Sequence, residues 1–95
     1  MTSKNVIIVG AGGNSKEILW TLKSCNENEV NYNLMGFADD DKSLHGKKIH
    51  NFPVLGSIDS ILKKNFSDAY WIVGIADPKT RKNIIKKLEA KKVKF

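Results

Sequence analysis

Ninety-five residues, 41% of them hydrophobic, make one domain with one modest core and exclude a chain that stays disordered. The net charge of +6 comes from 16 Lys and Arg against 10 Asp and Glu. Much of that surplus sits in the last helix and tail, so it is local. No apolar run is long enough to span a membrane, and Met1-Thr2-Ser3-Lys4 does not open a signal peptide. The single cysteine, Cys25, cannot form an internal disulfide, which is compatible with a cytoplasmic location.

Val6-Ile7-Ile8-Val9 is a continuous β-branched run, not an alternating one. It predicts a strand covered on both faces, as in a parallel sheet. Gly10-Ala11-Gly12-Gly13 follows at once, and then a helix-opening signal. Asn14 and Glu17 have the spacing of a capping box, with Asn14 at the cap. The free N–H groups of that first turn would favour an anion, typically a phosphate. Glycines in the loop let a ligand approach the backbone without meeting a Cβ. The third position of a Gly-x-Gly-x-x-Gly pattern is Ser15 here. Strand, loop, helix and a later acidic strand end together favour phosphate or nucleotide binding over glycines that serve chain geometry alone.

The first helix is predicted over about 16–24, with Ile18, Leu19, Leu22 and Cys25 on one buried stripe and Trp20 off it. Residues 26–29 read as a polar loop and 33–38 as a second strand, closed by Asp39, Asp40 and Asp41. Residues 42–51 read as irregular. A brief third strand near an edge is expected over 52–56, where Pro53 cannot donate to a ladder. Ser57 caps a short helix holding Ile58, Ile61 and Leu62. The strongest later strand is 69–76, with Trp71 packed in the sheet. Asp77 and Pro78 then open a helix whose buried face is Ile84, Ile85 and Leu88. Residues 93–95 read as the start of a further strand.

Alternating strands and helices predict a parallel sheet with helices on both faces, whose ligands bind beyond the carboxyl ends of the strands. Gly10, Gly12, Gly13 and Asn14, then Asp39 and Asp40, then Ile75, Ala76 and Asp77 all fall at such ends and are expected to share one crevice. Asp39 and Asp40 suit hydrogen bonds to ribose or base.

Five stretches carry a resemblance: 9–17 (Val-Gly-Ala-Gly-Gly-Asn-Ser-Lys-Glu), 36–41 (Gly-Phe-Ala-Asp-Asp-Asp), 44–47 (Leu-His-Gly-Lys), 53–57 (Pro-Val-Leu-Gly-Ser) and 74–81 (Gly-Ile-Ala-Asp-Pro-Lys-Thr-Arg). In this order and spacing they resemble the N-terminal domain of a bacterial sugar acyltransferase family, that of the bacillosamine, perosamine and sialic-acid acetyltransferases. The resemblance implies an α/β, Rossmann-like three-layer domain with a short parallel sheet, spanning 1–95. It implies binding of the nucleotide part of a nucleotide-linked sugar, foremost a UDP-amino sugar, in bacterial surface glycan or glycoprotein biosynthesis. In the family a left-handed β-helix of hexapeptide repeats follows. It carries the acetyl-CoA site and the catalytic histidine, and forms the trimer. Those repeats are not among these 95 residues, so the chain is expected to be a part of a longer acetyltransferase or a stand-alone binding module. The family usually has histidine where this chain has Asn14.

Alternative readings are an NAD-type dinucleotide domain of an oxidoreductase or redox-sensing regulator, and a pure interaction module with an empty crevice. His45 and His50 read as ordinary loop residues, because a metal site needs three or four convergent ligands. The basic run Lys79, Arg81, Lys82, Lys86, Lys87, Lys91 and Lys92 lacks interleaved aromatics and reads as a solvated face, not a nucleic-acid surface. No cofactor and no catalytic residue is expected in this chain, and in isolation it is expected to be monomeric or weakly dimeric.

Overall fold

The computed structural model describes residues 2–12, 15–25, 30–64 and 68–95, with the side chains of residues 2, 3, 25, 30 and 31 outside that description. Strand β1 (Thr2–Val9) leads into helix α1 (Ser15–Cys25) and strand β2 (Val30–Ala38). A 3-10 turn at Lys42–Leu44 precedes the short strands β3 (Lys48–Ile49) and β4 (Phe52–Gly56). Helix α2 (Ile58–Lys63), strand β5 (Ala69–Val73) and helix α3 (Pro78–Ala90) complete the order. The expected stripe position of Cys25 and the expected loop at 26–29 lie outside the described residues.

The sheet order is β3-β4-β2-β1-β5. Strands β4, β2, β1 and β5 run parallel, and only β3 is antiparallel to its neighbour. This is the expected α/β, Rossmann-like architecture. Successive strands first step away from β1 on one side. The chain then crosses back to place β5 on the other. The order therefore reverses at β1, which is where such sheets open a crevice at their carboxyl ends.

The continuous apolar run of β1 explains the three layers. Val6 and Ile8 pack on one face with Leu19 and Leu22 of α1, Leu34 and Phe37 of β2, and Val54 of β4. Ile7 and Val9 pack on the other with Ile58 and Ile61 of α2, Leu88 of α3, and Trp71 and Val73 of β5. Over residues 6–9 neither face of β1 meets water, so neither face could alternate with polar residues there. Trp71 is 2% exposed and Trp20 is 63% exposed, as the spacing predicts for a sheet residue and for a residue off the α1 stripe.

Three features differ from expectation. First, β2 carries one extra residue against β1: Val6 faces Leu34, while Ile7 faces Gly36. Met35 is thus bulged, which puts Leu34 and Phe37, three apart, on the same face. Second, residues within 42–51 form β3 and a hairpin turn to β4, with positive φ at His50 (51°) and Asn51 (72°). A two-residue loop with both φ values positive matches the right-handed twist of the strands it joins. Third, β5 ends at Val73, not at 76. The Gly74 N–H still bonds the Val9 carbonyl at 2.8 Å, but β1 leaves the sheet at Gly10, so no partner remains beyond it. The tail at 93–95 does begin a parallel pairing, with Lys94 opposite Tyr70 and a 2.8 Å bond from the Trp71 N–H to the Lys94 carbonyl. Among the described residues no helix is long and apolar enough to cross a membrane.

Candidate functional site

The carboxyl ends of the four parallel strands are tied in sheet order. Gly74 N–H donates to the Val9 carbonyl at 2.8 Å, Gly10 N–H to the Ala38 carbonyl at 2.7 Å, and Asp39 N–H to the Gly56 carbonyl at 3.0 Å. Each bond lies one step past the end of a strand, so the four loops leave the sheet from a common level. Gly10 turns the chain out of β1 with φ of 98°, a conformation that L side chains rarely adopt. Beside it stands Ile75, half-buried, whose Cδ1 would lie 2.8 Å from a Cβ at Gly10. Ala76 and Asp77 are exposed just beyond.

Ala11 is buried, and its N–H donates to Asp39 Oδ2 at 3.0 Å. Gly12 is exposed, and a Cβ built there would meet no atom of the described residues within 4 Å. Ser15, only 1% exposed, closes the loop from the helix side: its hydroxyl donates to the Gly12 carbonyl at 2.7 Å. The serine in place of the third glycine thus has a structural use that the Gly-x-Gly-x-x-Gly comparison did not suggest. Gly13 and Asn14, both expected at the site, lie outside the described residues, as does the capping box that Asn14 would form.

The acidic run after β2 divides into three tasks. Asp39, half-buried, accepts from Ala11 N–H on Oδ2 and from Asp41 N–H on Oδ1 at 2.9 Å. Asp40 is exposed, and its Oδ1 accepts from the Ile58 N–H at 3.0 Å, at the start of α2. Asp41 caps the 3-10 turn: its Oδ1 accepts from the Ser43 N–H at 3.0 Å and the Ser43 hydroxyl at 2.7 Å. Those bonds, the hydroxyl foremost, hold the Asp41 carboxyl below its usual range. His45 lies 2.6 Å by Nε2 from the Asp39 carbonyl. A carbonyl only accepts, so this Nε2 carries the proton and donates. The sequence motif at 44–47 flagged His45 without its contact. The two residues are only six apart, but a side chain that reaches back to a backbone carbonyl leaves no residue pattern to read.

At β4 and β5 the expected caps are in place. Ser57 Oγ accepts from the Ser60 N–H at 3.2 Å. Asp77 Oδ2 accepts from the Thr80 N–H at 3.0 Å and the Thr80 hydroxyl at 2.6 Å, with Pro78 in the first turn of α3. The structure thus brings Gly10, Gly12, Asp39, Asp40, Ile75 and Ala76 to one end of the sheet.

Elsewhere, a cavity of about 510 Å³ opens along the outer edge of β5, lined by Trp71, Ile72, Val73, Arg81, Ile85, Glu89 and Phe95. None of the strand-end residues singled out in the sequence lines it. Among the described residues no group of three His, Cys, Asp or Glu side chains is placed to hold a metal ion.

A strand, a glycine loop open over Gly12, a helix start, and an acidic pair after the second strand form the arrangement found where α/β sheets take nucleotides. The family model described as the PglD N-terminal domain matches residues 5–88, from the middle of β1 to the last buried residue of α3. No match to a curated protein was found. With the match running through all five motif stretches, the chain belongs to the PglD N-terminal domain family, the N-terminal domain of the sugar acetyltransferases.

Proposed function

We propose that residues 1–95 form the nucleotide-sugar-binding domain of a bacterial sugar acetyltransferase working in the cytoplasm. The ligand is the nucleotide part of a UDP-linked amino sugar. Gly10, Gly12, Gly13 and Asn14 approach the phosphates or the sugar. Asp39, Asp40, Ile75 and Ala76 form the wall on which the nucleoside rests. Acetyl transfer from acetyl-CoA belongs to a β-helix domain of hexapeptide repeats, with its trimer and its catalytic histidine. This domain orients the acceptor and performs no chemistry of its own.

The observation that carries this reading is the open space over Gly12 at the reversal point of the sheet, in a chain that belongs to this family.

Titration calorimetry with UDP-N-acetylglucosamine, a UDP-amino sugar, UDP and NAD tests the reading. UDP-sugar binding tighter than NAD supports it. A folded domain that binds none of the UDP compounds overturns it. Tighter binding of NAD would favour an oxidoreductase or redox-regulator domain instead.

A further inference from the structure

Asp39 stands where an acidic residue after the second strand of such a fold would reach for a ribose. Its bonding points inward instead. Oδ2 takes the Ala11 N–H at 3.0 Å, inside the glycine loop, and Oδ1 takes the Asp41 N–H at 2.9 Å. Its own N–H is bonded to the Gly56 carbonyl at 3.0 Å, and its carbonyl accepts from His45 at 2.6 Å. Every polar group of this residue is therefore engaged: with the glycine loop, with the end of β4, with His45, and with Asp41 in its own turn. Asp40 differs: it is exposed, and among the described residues only its Oδ1 is bonded, to the Ile58 N–H.

We infer that Asp39 is a positioning residue, which shapes the glycine loop from inside, and that of the acidic pair Asp40 is the one that meets the ligand. The inference rests on the nucleotide-sugar reading above. Two consequences follow from charge and geometry. The Ala11 N–H is filled by a carboxylate, so a ligand phosphate is held beyond it, from Gly12 toward the start of α1. Ala11 and the Gly12 carbonyl are already tied before ligand arrives, to Asp39 and Ser15, so at these two residues little ordering is left to oppose binding.

The test has one arm without ligand and one with it. In ¹⁵N-labelled protein, the Ala11 amide exchanges slowly with solvent, as a bonded N–H does, both without ligand and with UDP bound. In Asp39→Asn that protection falls while the rest of the spectrum stays native. An unprotected Ala11 amide in the wild-type chain overturns the inference, and this reading needs no variant to fold. In the second arm, Asp39→Asn weakens UDP and 2′-deoxy-UDP by the same factor, about tenfold, as expected for losing one charge-assisted bond that shapes the loop. Loss confined to UDP would place Asp39 on the ribose and overturn the inference, as would affinity unchanged for both. If the wild-type chain binds no uridine nucleotide, the functional reading fails, and the Ala11 amide exchange alone decides the positioning role.

Discussion

Gly10 and Gly12 sit two residues apart in the same loop, and alanine should act oppositely at the two. At Gly10 the φ of 98° is closed to an L side chain at a cost of about 1–3 kcal/mol. The new Cβ would also lie 2.8 Å from Ile75 Cδ1 and 3.3 Å from the Gly74 carbonyl oxygen. The first neighbour is the end of a flexible side chain and can rotate. The second is backbone, itself tied to Val9, and yields little. Against this, alanine loses less entropy than glycine on folding, a gain of roughly 0.4–1 kcal/mol. The net is a loss of about 2 kcal/mol, or a fall in Tm of roughly 8–16 °C for a chain of this size. At Gly12 the backbone has no positive φ and a Cβ would meet no atom of the described residues within 4 Å. Gly12→Ala should therefore keep the parent's stability or exceed it by up to about 1 kcal/mol. The larger Gly12→Leu should abolish UDP-sugar binding while the domain stays folded, because its side chain fills the open space over the loop. Urea denaturation followed by circular dichroism gives the stabilities, and calorimetry the binding. Gly10→Ala as stable as the parent, or Gly12→Ala weaker by more than about 1 kcal/mol, would refute the reasoning.

Other substitutions test the rest of the frame. Gly36→Ala places a Cβ 2.5 Å from the Pro53 carbonyl oxygen and 2.8 Å from Leu55 Cγ, at the bulge of β2; with no room to relax in the sheet, it should cost about 2–4 kcal/mol, read as a lower urea midpoint. Ser57→Ala removes the side-chain acceptor for the Ser60 N–H and should cost about 1 kcal/mol, with UDP affinity little changed. Asp41, Asp59 and Asp77 all have carboxyl groups lowered from 3.8, by the Ser43 hydroxyl, the Lys87 ammonium and the Thr80 hydroxyl respectively. A lowered folded value means these groups add stability above 3.8 and lose it as the pH falls through that value toward the lowered ones. The urea midpoint should be flat from about pH 7 to 5 and fall steadily below pH 4; Thr80→Val should lessen that fall, and an identical acid profile in the variant would count against Asp77's part in it.

The elements that could be read from the sequence are those with a local cause. A continuous β-branched run, a serine or aspartate at a cap and a proline in a first helical turn each act on their own few residues. They placed β1, α2, α3 and the buried face of each. The helix stripe of α1 separated Leu19 and Leu22 from Trp20 for the same reason. What escaped has causes elsewhere in the chain. The β3–β4 hairpin turns on His50 and Asn51, residues that accept positive φ without announcing it as Asn-Gly would. The Met35 bulge exists because Leu34 and Phe37 both belong on the α1 face, a demand set by β1 and not by β2 itself. The end of β5 is fixed by the point at which β1 leaves the sheet. Asp39 and Asp40 were legible as an acidic strand end, but a sequence cannot show which oxygen meets which amide. Their partners are 28 and 18 residues away.

That separation bears on why a binding site can be built here at all. Loops at the carboxyl ends of parallel strands come from distant parts of the chain, and each would wander if held only by its own strand. Here every junction carries a bond to the neighbouring one: β5 to β1 through Gly74 and Val9, β1 to β2 through Gly10 and Ala38, β2 to β4 through Asp39 and Gly56. The acidic pair adds a second row of ties, to the glycine loop through Ala11 and to the start of α2 through Ile58. A carboxylate suits this task better than a neutral side chain, because its two oxygens accept from two backbone amides at once and each charge-assisted bond is the stronger kind. Under the proposed function the cost is a negative charge beside a loop that takes an anion. The charge faces Ala11, on the buried side, while Gly12 is exposed. The same residues thus tie the platform together and, under that proposal, restrict where on it a phosphate lies.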